Sequence, residues 1–321
     1  MAFALGCSSL ALPLFGPGAR PAEEILDAAF AAGPYDVLEL HLSESLGTPE
    51  GGRVIPRSIV QQIEAIARGA MGRGAKVLLG LGGRFLLGPT KHEPSLIHPD
   101  PEGRGLRRRL IEEAISLSAD LGMERLVFLS GPSPLAAAAD KHSSPEWHWL
   151  EEGMERLLVQ AEARGVVLSP EAHSLHLLAD VADVQRLHAR FPSPFLGFTA
   201  DTVHQTLTEA RPLDVVYREL SPRISHVQLD NTSTPRAERG RPIRHTPVDG
   251  EGEVDLVGAL AGLYEGGYRG TVSVEFLRVD FPDVDALAYC LRVGQWLRDR
   301  LLPLADMEEA RKQAQRRGEA A

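Results

Sequence analysis

Val166-Val167-Leu168-Ser169-Pro170-Glu171 is a short apolar run that ends in a carboxylate, and three later runs repeat the arrangement. They are Phe195-Leu196-Gly197-Phe198-Thr199-Ala200-Asp201, Ile224-Ser225-His226-Val227-Gln228 and Thr271-Val272-Ser273-Val274-Glu275. Each has the length and apolar character of a buried strand. A carboxylate at the tip of such a strand is costly to desolvate unless it binds something. Four oxygen donors that close successive strands of one parallel barrel would converge above its axis. The same pattern therefore predicts an architecture and a site.

Outward from these runs, strand-like and helix-like segments alternate along the chain. Earlier strands are expected at Phe3–Leu10, Tyr35–Leu42, Lys76–Leu81 and Glu124–Ser130. Helices are expected from Pro21 to Gly33, Pro56 to Met71, Leu106 to Leu121 and Pro145 to Gly165, and then over 177–190, 212–220, 254–266 and 284–300. Proline suits a first helical position and glycine a stop. Leu110, Ala114, Leu117 and Leu121 form one apolar stripe, and Trp147, Leu150, Met154, Leu157 and Ala161 form another. A loop rich in Gly, Pro and His is expected from Gly82 to Gly105. Eight strand–helix units predict a single α/β domain, a (β/α)8 TIM barrel over residues 1–304, with a charged helical or frayed tail over 305–321. A doubly wound sheet is the structural alternative, but Gly80-Leu81-Gly82-Gly83 lacks the third glycine and helix entry of a dinucleotide site.

Composition narrows the function classes. The formal net charge of -10 repels polyanions, so nucleic acid is not expected as a partner. Cys7 and Cys290 are the only cysteines and supply neither a disulfide framework nor a zinc cluster, which points to a reducing cytoplasm. Ala4-Leu5-Gly6-Cys7 has the look of a lipoprotein cleavage box, but the residues before it leave no room for a basic region and an apolar stretch, so a first strand is expected there. No run reaches the roughly 18 apolar residues of a membrane span. The Arg107-Arg108-Arg109 run reads as a solvated helix face, and Trp147-His148-Trp149 as core packing or a subunit contact.

Active sites of such barrels sit at the C-terminal rim, so the strand tips carry the chemistry. Glu171, Asp201 and Glu275 supply three carboxylates and Gln228 an amide oxygen, a set that suits one hard divalent cation, Mn²⁺ or Mg²⁺, better than Zn²⁺. His173 and His204 are candidates for substrate contact or for orienting a neighbour. Glu39 and His41 could floor the pocket, and His226, on the same side of its strand as Gln228, would lie deeper.

Asp201-Thr202-Val203-His204, His226-Val227-Gln228, and the closing set Gly250-Glu251-Gly252-Glu253-Val254-Asp255, Gly267-Tyr268-Arg269-Gly270 and Val274-Glu275 resemble the motifs of the xylose isomerase-like barrel superfamily, the sugar phosphate isomerase/epimerase group. The likeness is dense from about 166 to 277. It implies one divalent metal ion between Glu171, Asp201, Gln228 and Glu275, with Glu171 and Glu275 as the catalytic acid/base pair. Hydroxypyruvate isomerase-like members also carry Gln at the third position. Ketose epimerases place an arginine six residues beyond it; Thr234 stands there, which leaves Arg236, Arg239, Arg241 and Arg244 as candidates, Arg236 and Arg239 foremost. Relatives commonly pair as homodimers or homotetramers.

The expected function is therefore metal-dependent isomerisation or epimerisation of a small sugar or hydroxycarbonyl compound. Glutamate would transfer a proton through a metal-stabilised enediolate. A lyase or dehydratase, inosose dehydratase-like or glycoside-cleaving, could use the same residues, and a non-catalytic ligand-binding barrel is the alternative from another class. A Schiff-base aldolase is disfavoured because Lys76, Lys91, Lys141 and Lys312 are the only lysines and none closes a strand.

Overall fold

Eight short parallel strands close on themselves in the order β1-β10-β7-β6-β5-β4-β3-β2. They are β1 (Ala4–Ser8), β2 (Val37–His41), β3 (Lys76–Gly80), β4 (Arg125–Leu129), β5 (Val167–Glu171), β6 (Phe198–Asp201), β7 (Ile224–Leu229) and β10 (Thr271–Val274). A two-stranded hairpin, β8 (Asn231–Thr232) with β9 (His245–Thr246), sits in the connection after β7. The computed structural model describes residues 3–10, 14, 20–31, 33, 35–43, 45–49, 51–275, 281 and 283–300. The expected tail over 305–321 lies outside the described residues. The (β/α)8 architecture read from the sequence is the architecture observed.

Helices α1 (Ala22–Ala31), α2 (Arg57–Gly72), α3 (Pro101–Leu121), α4 (Pro145–Arg164), α5 (Val181–Arg190), α6 (Thr202–Thr208), α7 (Leu213–Leu220) and α8 (Leu256–Glu265), with a further helical stretch over 286–300, surround the strands. Among the described residues no helix is long and apolar enough to cross a membrane. Local chemistry sets their ends. Asp100 caps α3 by accepting from Glu102 N and Gly103 N, and Gly122 closes it in the left-handed conformation at φ 73°. The helix thus starts five residues before the expected Leu106, because the cap and Pro101 precede the apolar stripe. α5 starts at Val181 and not near 177, since Asp180 and Asp183 form a capping box there. Leu177 and Leu178 are spent instead on buried loop contacts, their N–H groups donating to Gly131 O and Ser130 Oγ.

Two charged side chains are buried, one of them Arg107, against the solvated helix face expected for it. Arg107 is 2% exposed and donates to Leu81 O at 3.3 Å. Burial pulls its guanidinium down to about 10, against a smaller upward pull from Glu93. Lys141 is 4% exposed, with Nζ 2.6 Å from Asp183 Oδ2 and 3.0 Å from Ala136 O. Asp183 also accepts from His142 Nε2 at 2.7 Å and from Ala179 N at 2.8 Å. This network fastens the loop after β4 to the start of α5. Trp147 is core, as read, and its indole N–H is satisfied by Glu151 at 2.8 Å.

Candidate active site

Side chains alternate across a strand, so every second residue of β2 and β7 points into the barrel. Glu39 and His41 follow this rule on β2, and His226 and Gln228 on β7. They meet in one buried column. Glu39, 0% exposed, accepts from His41 Nε2 at 2.8 Å, from Gln228 Nε2 at 2.8 Å and from His226 Nε2 at 3.1 Å. His226 Nδ1 lies 2.7 Å from Thr271 Oγ1 below. Burial alone would push the Glu39 carboxyl up, but His226 and His41 outweigh it and hold the group below the usual carboxylate range. The same contact raises His41 against its own desolvation. Gln228 is oriented by this column. A carboxylate only accepts, so the Gln228 amide must give Glu39 its nitrogen. Its oxygen Oε1 is thereby left buried without a hydrogen-bond partner.

Register sets the height of the donors. Asp201 and Ser273 stand beside Gln228 in neighbouring strands, and Glu275 follows two residues above Ser273, its N–H bonded to Leu229 O. Glu171, Asp201 and Glu275 all line a cavity of about 610 Å³ at this rim, together with Asp230 and His245. Their charges are crowded. Burial pushes Glu171 well above the usual range, with Glu275, Glu39 and Asp230 adding to it. Asp201 rises for the same reason, burial first, then Asp230, Glu171 and Glu275. Glu275 is pushed up to about 8, chiefly by burial, with His41 and His245 pulling the other way.

A wall of imidazoles flanks the carboxylates. His173 and His204 stack with ring centroids 3.6 Å apart, His173 and His176 are 4.1 Å apart, and His92 lies 5.1 Å from His176. Burial holds all four below the ordinary histidine range, His92 at about 3, so each ring is neutral at pH 7. Ligand atoms of Glu171, His173 and His204 all lie within 4.8 Å of one another, close enough to share an ion. Their existing bonds distinguish them. His173 Nδ1 accepts the Leu175 N–H at 3.2 Å, so the neutral ring carries its proton on Nε2 and presents a donor there. His204 Nε2 stands 3.7 Å from Glu171 Oε1, with Nδ1 bonded to Ser174 Oγ at 3.0 Å. Asp201 spends one oxygen on capping α6, accepting from His204 N at 2.7 Å, which leaves the other to the site.

The structure thus brings Glu171, Asp201, Glu275, His173 and His204 to one cavity, whereas Gln228, in register with Asp201, is not among its lining residues. Glu39 lies beneath, joined to the cavity lining through His41. Arg236 is exposed and Arg239 donates to Ala136 O at 3.3 Å; neither is among the cavity-lining residues. The cations that line it are Arg84 and Lys91, from the loop after β3. Asp230, two residues past Gln228, was legible as a strand-tip donor. Asp230 Oδ1 accepts from Thr202 Oγ1 and Val203 N, and Oδ2 sits 3.5 Å from His245 Nδ1. His245, Arg84 and Lys91 carried no such signal, because hairpin and loop geometry delivers them.

A family model described as a xylose isomerase-like TIM barrel matches residues 26–299. Among solved structures the chain is similar to an L-ribulose 3-epimerase, at 17% identity and a TM-score of 0.71 over 96% of this chain and 97% of that one. It is similar to a D-psicose 3-epimerase with D-tagatose from Clostridium cellulolyticum H10, at 16% identity and a TM-score of 0.67 over 93% and 99%. It is also similar to the IOLI protein with a binding zinc atom, at 16% identity and a TM-score of 0.65 over 94% and 98%. No curated protein matches it. Identities this low establish a common fold and say nothing of substrate.

Proposed function

The chain belongs to the xylose isomerase-like TIM barrel family, and from that premise we propose that it is a divalent-metal-dependent isomerase or epimerase of a small sugar or hydroxycarbonyl compound. One observation carries the proposal: Glu171, Asp201 and Glu275 crowd a single rim cavity, and Gln228, in register with Asp201, has a buried oxygen with no partner. Three buried carboxylates repel one another, and an orphaned buried amide oxygen costs about 1–3 kcal/mol. A cation relieves both, so the residues fit the ion that the sequence implied. Glu171, Asp201, Gln228 and Glu275 would hold it, and when bound it supplies a Lewis acid to the carbonyl and hydroxyl oxygens of the substrate. An all-oxygen set favours Mn²⁺ or Mg²⁺, whereas capture of a nitrogen-seeking ion such as Zn²⁺ by Glu171, His173 and His204 would require His173 to give up the Leu175 N–H bond that fixes its proton on Nε2.

The protein groups divide the remaining work. One glutamate takes the proton from the carbon beside the carbonyl, and the same or the other glutamate returns it to the enediolate. Burial raises both carboxyls, Glu171 well above the usual range and Glu275 to about 8, and beside a bound cation they would be drawn back towards the charged form in which a carboxylate accepts a proton. His173, with a fixed Nε2–H, and His204 can hold a substrate hydroxyl.

Metal analysis of the purified protein, followed by incubation in D₂O with a panel of ketoses and 2-keto acids, tests this reading. Deuterium should wash into recovered substrate without loss of water, and Glu275→Gln should abolish it while the fold persists. Exchange that survives in Glu275→Gln removes that residue from catalysis. An unsaturated or deoxy product would make the protein a lyase.

A further inference from the structure

We infer that His41 touches the substrate and carries a proton between two of its oxygens, which makes the reaction an isomerisation of a hydroxy-aldehyde or hydroxy-ketone and not an epimerisation; this holds only if the functional reading above holds. Three observations converge on the ring. His41 is 1% exposed yet lines the rim cavity with Glu171 and Glu275. Its Nε2 is committed to Glu39 at 2.8 Å, and Glu39 is itself fixed by His226 and Gln228. Its Nδ1 is buried with no partner. An unsatisfied buried polar atom calls for a specific explanation, and here the ring is otherwise held with care.

Two glycines make room for the ring and for that edge. A Cβ at Gly80 would stand 2.6 Å from Nδ1, and one at Gly82 would stand 3.1 Å from it. Gly82 is itself part of the cavity wall. Gly80 thus makes room for the imidazole as a whole, and Gly82 leaves its Nδ1–Cε1 edge uncrowded. A carboxylate behind one ring nitrogen, with the other left unpaired in a ring that lines a cavity, is the arrangement by which an imidazole is aligned for acid–base work.

The two reaction types ask different things of such a group. Epimerisation returns the carbonyl to the oxygen that had it, so only a carbon-bound proton moves. Isomerisation also exchanges the roles of two oxygens. Glutamate removes the proton from the hydroxyl-bearing carbon, which leaves the negative charge on the former carbonyl oxygen. His41, whose Nε2–H stays on Glu39, takes the neighbouring hydroxyl proton on its unpaired Nδ1 and passes it to that oxygen as the hydroxyl oxygen becomes the carbonyl. The glutamic acid delivers its proton to the former carbonyl carbon. One C–H and one O–H bond are broken and re-formed, and both residues end as they began.

His41→Gln tests this, because glutamine keeps a donor within reach of Glu39 and has nothing at Nδ1. Wild type and variant are loaded with Mn²⁺ to equal occupancy and given D-fructose, D-tagatose and hydroxypyruvate in D₂O. Deuterium in recovered substrate and formation of the carbonyl-shifted isomer are followed separately. The variant should keep washing in deuterium while isomer formation falls about 100-fold or more relative to that exchange, the scale of one acid–base group. Gly82→Ala, which crowds Nδ1 without touching the Glu39 contact, should shift the same ratio and serves if His41→Gln fails to fold. Isomer formation within threefold of wild type, an equal fall in both readouts, or a wild type that yields only an epimer overturns the role of His41. A wild type that neither exchanges nor turns over any probe sinks the functional reading instead.

Discussion

Replacing Glu39 by glutamine probes the buried column beneath the site. The carboxylate accepts from His41 Nε2, Gln228 Nε2 and His226 Nε2 at 2.8, 2.8 and 3.1 Å. Bonds to a charged partner contribute about 1.5–3 kcal/mol and neutral ones about 0.5–1.5 kcal/mol. Making all three neutral therefore costs about 1 kcal/mol each, about 3 kcal/mol in total. The new NH₂ group can be met by His226, which moves its proton to Nδ1 and donates to Thr271 Oγ1, so the variant stays folded. A chain of 321 residues loses about 1.5 °C in Tm per kcal/mol, which predicts a drop of about 4–5 °C.

The pH dependence has a definite sign. The carboxyl of Glu39 lies below its ordinary 4.5 in the folded state, so its contribution is present above that value and lost as pH falls through the folded one. His41 is raised above its ordinary 6.5, so its contribution is complete below 6.5 and lost as pH rises through the raised value. The deficit of Glu39→Gln should thus be largest between the two and shrink as the solution turns alkaline. Urea unfolding at about pH 5.5 and about pH 9, with EDTA present so that ion binding does not enter, measures it. A deficit below about 1 kcal/mol, or one that grows between the two conditions, refutes the reasoning.

Further expectations concern the ion and two structural details. Mn²⁺ at about 100 times its Kd should stabilise the protein by about 2.7 kcal/mol, and Asp201→Asn should remove the shift in calorimetry; an unchanged shift places the ion elsewhere. Lys141→Met leaves Asp183 buried and short of its cation and should cost about 3–5 kcal/mol in urea unfolding, whereas a loss under about 1 kcal/mol would mean that water reaches the carboxylate. Gly80→Ala places a methyl 2.6 Å from the His41 ring and should cost about 1–3 kcal/mol, with the ring displaced in a crystal structure of the variant; an unmoved ring would show that the backbone yields instead.

What the sequence revealed depended on how local each signal was. Strand tips announced themselves because an apolar run and its terminal donor are adjacent, and Glu171, Asp201 and Glu275 do share a cavity. Glu39 needed more, since its meaning comes from His226 and Gln228, about 190 residues away in the chain. The arginines of 236–244 had the right charge and the right loop. Yet Arg244 is turned to Glu238 and Arg239 to Ala136, both outside the cavity lining, and no periodicity governs such a choice. Arg107 was unreadable for a similar reason: it opens a run of three arginines, and only the fold of the loop before it shows that the first is covered. The start of α3 was in the text all along, in Asp100-Pro101, but the apolar stripe that drew attention begins later.

The hydrogen bond from His204 N–H to Asp201 gives the molecule a built-in gauge. The amide belongs to the first turn of α6, and its acceptor is a carboxylate of the candidate metal site. Loading or exchanging the ion must redistribute charge on that carboxylate and alter the shielding of one backbone proton. With a diamagnetic ion such as Mg²⁺, a single resonance in an ¹⁵N-labelled sample would then read occupancy continuously, with no substrate, no dye and no altered residue.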